Sequence, residues 1–187
     1  MQIENSKALS GRAIRCILFD LGQTLWTRIE AFGAPEQEAT QHSIQVIREH
    51  VAPEIFAQAD LPLLKERLYE NVLLQMHKFV RNYPGYEPDY GQMINETLPQ
   101  FGLSELDPSA SEAVFEALRI PIIGTRHLFD DTLSTLHTLK QRGFLLGVVT
   151  NRFWGGQPFL ADVQKLGLFD YFEPNTMAIS ADLGIRK

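Results

Sequence analysis

The sequence has almost no cysteine, no excess of basic charge and no long apolar run. Cys16 is the single cysteine among 187 residues, so no internal disulfide can form, which fits a reducing compartment. Because Cys16 lies in an apolar run from Ile14 to Phe19, it is predicted to be a packed core thiol. The 17 basic and 23 acidic residues give a formal net charge of −6. A basic surface that could neutralise the phosphates of a nucleic acid is therefore not expected.

Signals for export or membrane insertion are also missing. No stretch approaches the roughly 18 to 20 consecutive apolar residues that a transmembrane helix needs. The polar N-terminus (MQIENSKALSGR) lacks the apolar segment of a signal peptide. A cytoplasmic protein with neither a membrane nor a nucleic acid as partner is the resulting prediction, and the oligomeric state stays open. The apolar fraction of 44% and charged fraction of 21% are typical of a folded globular protein.

Three short apolar runs predict the buried strands of a parallel sheet. They cover residues 14–19, 144–149 and 177–180. The first run ends at Asp20, and the second ends at Thr150 and Asn151. Ligands of open α/β sheets bind at the edge where the carboxyl ends of the strands meet, so these polar side chains are expected to share one site.

The stretches between these runs have the periodicity of helices. Residues 130–142 and 158–166 are each predicted to form a helix that ends at a glycine, Gly143 or Gly167. From residue 36 to residue 118, apolar residues recur every three or four positions, which predicts a subdomain of about four helices. One apolar stripe consists of Leu64, Leu68, Val72, Met76 and Phe79. Helices between apolar strands indicate right-handed βαβ units, so the predicted fold class is α/β with a Rossmann-like parallel sheet and an inserted helical domain.

Asp20 is the candidate nucleophile of the predicted site. A carboxylate can attack a phosphoryl group when a cation reduces the repulsion between the two anions and hydrogen-bond donors hold the substrate in line. Thr150 and Asn151 would supply donors, and Lys187, which follows the third run, would supply a fixed positive charge. These residues by themselves suggest a phosphate or metal site.

The segments around these residues resemble three motifs of the haloacid dehalogenase-like (HAD) hydrolases, in the order of that family. Ile17–Leu25 (ILFDLGQTL) resembles the first motif, Leu146–Asn151 (LGVVTN) the second and Ile179–Lys187 (ISADLGIRK) the third. The helical stretch between the first two matches the position of the family's cap, a lid that excludes water and selects the substrate. The resemblance implies a hydrolase core made of residues 1–27 and 121–187, with a helical cap at residues 28–120.

The resemblance also implies a role for each site residue. The catalytic residues would be Asp20, Thr150 and Lys187. The residues that bind the substrate phosphate would be Thr24 and Asn151. Mg²⁺ is the implied cofactor, coordinated by the carboxylate of Asp20 and the backbone carbonyl of Gly22. The chain would then be a phosphatase that acts on a small phosphorylated metabolite through an aspartyl-phosphate.

Two departures from the family pattern bear on the expected activity. Gly22 stands where most phosphatases of the family have an aspartate that acts as general acid and base, a contribution of about 10²- to 10⁴-fold. His42 or His127 could supply an alternative base. The acidic pair of the family's fourth motif should follow the third motif, yet the chain ends at Lys187. A C-terminal truncation is therefore expected, which would leave residues 16–19 as an exposed apolar edge of the sheet.

Two other functions stay open. One is a metal-free 2-haloacid dehalogenase-type hydrolase with the same nucleophile. Such relatives also lack the second aspartate, but they carry an aromatic residue at the position of Gly22 and an arginine early in the cap, which Arg28 matches only weakly. The other is a catalytically impaired phosphate-binding or regulatory module. The aromatic residues Trp26, Phe153 and Trp154 flank the proposed site and could line it or pack the cap against the core.

Overall fold

The computed structural model describes residues 15–29, 34–51, 61–173 and 175–187. Its strands are β1 (Cys16–Phe19), β2 (Trp26–Arg28), β3 (Arg126–Leu128), β4 (Leu145–Thr150) and β5 (Met177–Ile179). Its helices are α1 (Ala34–His50), α2 (Leu61–Asn82), α3 (Tyr90–Thr97), α4 (Pro108–Ala117), α5 (Thr132–Gln141), α6 (Gly156–Lys165) and α7 (Ser180–Leu183). Short 3₁₀ helices span Leu98–Phe101 and Phe169–Tyr171.

Strands β1, β4 and β5 form a parallel sheet in the order β1-β4-β5. Cys16 lies opposite Leu145 at one end of the β1–β4 pair, and Thr150 lies opposite Ile179 at the end of the β4–β5 pair. The central strand β4 is packed between helices, because apolar side chains of α5 and α6 are buried with those of β4 in one cluster. The predicted α/β fold with a parallel sheet is thus confirmed.

Both helices predicted beside the sheet are present. The helix predicted at residues 130–142 is α5, Thr132–Gln141, and the one predicted at residues 158–166 is α6, Gly156–Lys165. The chain leaves each helix through a glycine with a positive φ, 81° at Gly143 and 74° at Gly167. This left-handed conformation is easily adopted only by glycine, which explains why both helices end there.

Four helices, α1 to α4, occupy the central stretch and share a second hydrophobic cluster. The predicted stripe of α2 provides much of it: four members are buried and Phe79 packs against its edge. Asp89 caps α3 by accepting a 2.9 Å hydrogen bond from the N–H of Gln92, and Asp107 caps α4 by accepting one of 3.0 Å from Ala110. Within residues 34–51 and 61–118, the four described helices agree with the predicted number, while the cap boundaries at residues 28 and 120 stay predictions.

A two-stranded antiparallel ribbon, β2 with β3, joins the helical region to the sheet. Trp26 lies opposite Leu128, and Arg28 lies opposite Arg126. The N–H of Ile29 then donates a 3.1 Å hydrogen bond to the carbonyl of Thr125. The sequence analysis missed this ribbon, because strands of three residues are too short to show an alternating pattern.

The prediction that Cys16 is a core thiol is wrong, whereas the exposed apolar edge expected for residues 16–19 is present. Cys16 is exposed, and Leu18 of the same strand is 59% exposed. The reason is that β1 lies at the edge of the three-stranded sheet and has β4 as its one neighbour among the described strands. Leu18 covers its partner Gly147, where an added Cβ would lie 2.8 Å from Leu18 Cδ2.

Among the described helices, none combines the length and the apolar character needed to cross a bilayer.

Candidate active site

Asp20 follows β1 directly, and Lys187 Nζ lies 2.9 Å from its Oδ1. The Thr150 side chain and the backbone of Leu21 lie close enough to help lower the pKa of this carboxylate. Partial burial by itself raises the pKa of Asp20. The hydrogen bonds and the positive charge of Lys187 outweigh that effect, so the net pKa lies below its ordinary value of 3.8. Asp20 is therefore ionised at neutral pH.

Lys187 reaches Asp20 because Asn151 holds its backbone. The N–H of Lys187 donates a 3.0 Å hydrogen bond to Asn151 Oδ1, and Asn151 Nδ2 donates one of 3.4 Å to the carbonyl of Lys187. Lys187 Nζ also donates to the carbonyl of Val149 at 3.2 Å. The structure thus brings four predicted site residues together: Asp20, Thr150, Asn151 and Lys187. It adds a role for Asn151 that the sequence did not indicate, and phosphate binding by Asn151 stays a prediction.

Gly22 and Thr24 lie in the exposed turn that follows Asp20. No atom lies within 4 Å of a Cβ built on Gly22, so the space beside it is open. Gln23 adopts a left-handed φ of 60°, and its N–H donates a 2.8 Å hydrogen bond to the carbonyl of Trp26. The turn keeps Gly22 and Thr24 near the sheet edge, and their predicted contacts with metal and phosphate stay predictions. The two candidate bases, His42 on α1 and His127 on β3, are both exposed.

The loop after β4 is fixed by α7, which the sequence analysis did not assign to the site. Ser180 Oγ accepts a 2.9 Å hydrogen bond from the N–H of Arg152 and donates one of 3.2 Å to its carbonyl. Asp182 Oδ1 accepts a 2.8 Å hydrogen bond from the N–H of Gly156 at the start of α6. A Cβ on Gly155 would overlap this carboxylate. Both residues lie in the third motif, but their partners are about 26 to 28 residues away in sequence, and no local pattern reports such contacts.

The aromatic residues near the site pack the helical cluster onto the sheet. Trp154 stacks on Phe115 of α4, with ring centroids 5.1 Å apart, and its Nε1 donates a 3.1 Å hydrogen bond to the carbonyl of Phe115. Its other stacking partner is Tyr69 of α2, at 6.3 Å. Trp26 is buried in the cluster of the sheet. The sequence left open whether these aromatic residues line the site or pack the helices against the sheet. In the structure Trp26 and Trp154 are packing residues, and Phe153 also lines a cavity.

Arginines give the boundary between helices and sheet a positive charge. Arg152 lies over the ring of Phe159, 5.0 Å from its centroid. Burial, together with the charge of Arg126, lowers the pKa of Arg152 to about 10. Burial and the charge of Arg28 likewise lower the pKa of Arg126. The charge of Asp20 raises the pKa of Arg152, but by less than burial and the charge of Arg126 lower it.

A cavity of about 1110 Å³ lies between α3, α4 and the start of α6, and its lining includes Glu87 and Gly184 beside the segment that carries Lys187. Neither Asp20 nor Lys187 lines it. Its lining is acidic, and burial together with the charges of Glu112 and Asp182 raises the pKa of Glu116. An acidic lining repels phosphate, so this cavity is not a candidate for the predicted phosphate site.

The fit of the site to Mg²⁺ is partial. Mg²⁺ is usually held by one or two carboxylates, substrate phosphates and several waters. Asp20 offers one carboxylate, and coordination by the backbone carbonyl of Gly22 stays a prediction. No three His, Cys, Asp or Glu side chains come together as a metal site in the part of the chain that the structure describes. The residues present therefore provide part of a coordination shell.

Comparison with known proteins supports the fold. No protein-family model and no curated protein matches the chain. A candidate HAD-hydrolase from Bacillus subtilis, YfnB, solved bound to magnesium, is similar with a TM-score of 0.50 and 17% identity, over 94% of this chain and 68% of that one. A phosphoglycolate phosphatase predicted in Haemophilus somnus 129PT has a TM-score of 0.44 and 17% identity, over 89% of this chain and 62% of that one. An L-2-haloacid dehalogenase has a TM-score of 0.42 and 14% identity, over 94% and 67%.

The chain spans about two thirds of the length of these structures. At such low identity, the similarity concerns the fold. It agrees with the parallel sheet and the helices described above.

Proposed function

We propose that this chain, which has the fold of the HAD hydrolases, hydrolyses a small phosphate monoester with Asp20 as the nucleophile. The observation that carries the proposal is the contact between Lys187 Nζ and Asp20 Oδ1 at 2.9 Å. The ammonium keeps the carboxylate ionised, and it lies where it can also neutralise an incoming phosphoryl group. Thr150, which ends β4 and helps lower the pKa of Asp20, supports the proposal as a neighbouring hydroxyl donor.

The proposed reaction has two steps. A carboxylate oxygen of Asp20 forms a bond to phosphorus while the bond from phosphorus to the leaving oxygen breaks, which gives an aspartyl-phosphate and an alcohol. Water then attacks phosphorus, and the bond to Asp20 breaks to release inorganic phosphate and restore the carboxylate. Since Gly22 offers no carboxyl group, the leaving oxygen takes its proton from water, and substrates with good leaving groups are favoured.

Mg²⁺ belongs to this proposal as the cofactor. The carboxylate of Asp20 and the backbone carbonyl of Gly22 would hold it, and when bound it would neutralise charge on the phosphate oxygens. The oxygen donors at this edge of the sheet support the assignment. The magnesium in the structure of YfnB is a property of that protein and is consistent with it.

Substitution of the nucleophile tests the proposal. In Asp20→Asn the amide is a poor nucleophile, so turnover of para-nitrophenyl phosphate should fall by at least about 10³-fold. A phosphoryl group should no longer be trapped on the protein in a rapid acid quench. The matched control is Asp130→Asn, which changes an exposed aspartate and should leave both measurements unchanged. Undiminished turnover in Asp20→Asn would refute the proposal.

A second candidate is dehalogenation of a 2-haloacid, because the turn after Asp20 holds Gly22 in place of a second carboxylate. Here the carboxylate of Asp20 would displace halide from carbon to form an ester, and water would then cleave the ester at the carboxyl carbon. Release of halide from 2-chloropropionate in the presence of EDTA, without release of phosphate from para-nitrophenyl phosphate, would favour this candidate. Thermal stabilisation by inorganic phosphate without either activity would favour a phosphate-binding module.

A further inference from the structure

The segment that carries Lys187 is attached to the helical region as well as to the sheet. This lysine segment, residues 184–187, pairs with the loop between α2 and α3. The N–H of Glu87 donates a 3.1 Å hydrogen bond to the carbonyl of Gly184, and the N–H of Arg186 donates one of 3.0 Å to that of Gly85. Tyr86 and Ile185 form the antiparallel bridge between them. After the left-handed turn at Gly184 (φ 68°), the lysine segment therefore forms a β-bridge with the helical region.

A buried ion pair reinforces this pairing. Arg186 Nη1 donates to both carboxylate oxygens of Glu87, at 2.9 and 3.0 Å. The two side chains are only 12% and 3% exposed. Glu87 Oε2 also accepts a 2.8 Å hydrogen bond from the hydroxyl of Tyr90 at the start of α3. Burial, together with the hydrogen bond to Glu87 and its charge, raises the pKa of the Tyr90 hydroxyl, which stays a donor.

On the sheet side, the lysine segment is held by the hydrogen bonds of Lys187 with Asn151 and Val149 described above. The four-residue helix α7 ends at Gly184, and the apolar side chains on either side of that glycine, Leu183 and Ile185, are 57% and 61% exposed. Successive side chains of an extended strand point to opposite sides. Arg186 accordingly contacts the helical region, while Lys187 contacts Asp20.

We infer that Glu87 and Arg186 are positioning residues, whose ion pair holds Lys187 against Asp20 and so links the helical region to the site. The inference depends on the proposed function insofar as Lys187 assists the reaction. Its structural part, that the pair orders Lys187, can be measured without any substrate.

The experiment uses the full chain with Glu87→Gln and Arg186→Lys as single variants. Removal of one partner leaves a buried charge unpaired, so the double variant Glu87→Gln/Arg186→Gln, which keeps a polar pair without charge, is made as well. The control variant is Glu70→Gln, which removes an ion pair with Arg67 whose side chains are 54% and 56% exposed. Each protein is assayed with para-nitrophenyl phosphate, and the acetylation rate of Lys187 by acetic anhydride is followed by mass spectrometry.

If the pair positions Lys187, kcat falls by roughly 10- to 100-fold while KM stays within about threefold, and Lys187 is acetylated at least about threefold faster. Glu70→Gln changes neither quantity. A lower melting temperature with unchanged kcat and unchanged acetylation would show that the pair only stabilises the fold, and would overturn the inference. If the unmodified chain has no turnover, the proposed function fails, and acetylation of Lys187 alone decides whether the pair orders it.

Discussion

The turn after Asp20 has room for a side chain at position 22, where the chain has a glycine. The residue is exposed, and no atom lies within 4 Å of a Cβ built there. Its φ is outside the left-handed region, so an L-residue fits without strain. The missing acid and base can therefore be restored by a single substitution.

Gly22→Asp is expected to raise kcat for phosphate esters with poor leaving groups by about 10²- to 10⁴-fold. The new carboxyl group would protonate the leaving oxygen and then take a proton from water. The measurement is kcat for phenyl phosphate as a function of pH. Gly22→Asn has the same size and no titratable group, so it should show no such gain. An equal gain in both variants would contradict the assignment of proton transfer to this position.

The sequence predicted those site residues that end an apolar run. Asp20 and Thr150 belong to this class, since the carboxyl ends of parallel strands define the ligand edge of the sheet. Glu87 and Asp182 were not predicted, because each acts on a partner far along the chain. Cys16 was assigned to the core on its apolar neighbours, yet whether a strand is central or at an edge depends on the whole sheet.

At the scale of elements, the start of α6 depends on a residue of α7. The N–H of Gly156 donates to Asp182 Oδ1 at 2.8 Å, and a helix start needs such an acceptor for its free N–H groups. Gly155 leaves space for this carboxylate, because a Cβ there would overlap it.

Asp182→Ala should therefore lower the free energy of unfolding by about 0.5 to 2 kcal/mol, as loss of a helix cap does. Asp182→Asn keeps an oxygen acceptor and should lose much less. Gly155→Ala should destabilise the unmodified chain but be tolerated better together with Asp182→Ala. Urea unfolding of the unmodified chain, of these two single variants and of their double variant should therefore give a coupling energy. Simple additivity of the two effects would show that Gly155 and Asp182 do not constrain each other.

Long elements were easier to predict than short ones. The stripe of α2 repeats over several turns, so its period indicates a helix without reference to the rest of the chain. Strands β2 and β3 have three residues each, and their pairing joins positions about a hundred residues apart. Such pairing is decided by tertiary structure rather than by local preference.

At the scale of the whole molecule, Trp154 anchors the loop after β4 in the hydrophobic cluster of the helices. It belongs to the loop after β4, yet it is 8% exposed within the cluster of α1 to α4. Its ring stacks on Phe115 and its Nε1 donates to the backbone of that residue.

Trp154→Ala should lower the free energy of unfolding by about 3 to 5 kcal/mol, because it leaves a large cavity in the cluster of the helices. Trp154→Phe keeps an aromatic ring and loses the hydrogen bond, which corresponds to about 0.5 to 1.5 kcal/mol. Guanidinium unfolding followed by circular dichroism measures both. Leu74→Ala, a change at a side chain that is 52% exposed, should stay within about 0.5 kcal/mol. An equally small effect of Trp154→Ala would contradict the conclusion that this ring anchors the loop after β4.

The ribbon of β2 and β3 brings the two ends of the central helical stretch together. Its two ends leave and re-enter the sheet side by side, since the N–H of Ile29 and the carbonyl of Thr125 are within hydrogen-bonding distance. An insert whose ends meet at this spacing would fit the same stem, but it would also have to replace the partners that Arg186 and Trp154 have in the helical stretch, Glu87 and Phe115. The stem and the lysine segment therefore constrain together what the central stretch can be exchanged for.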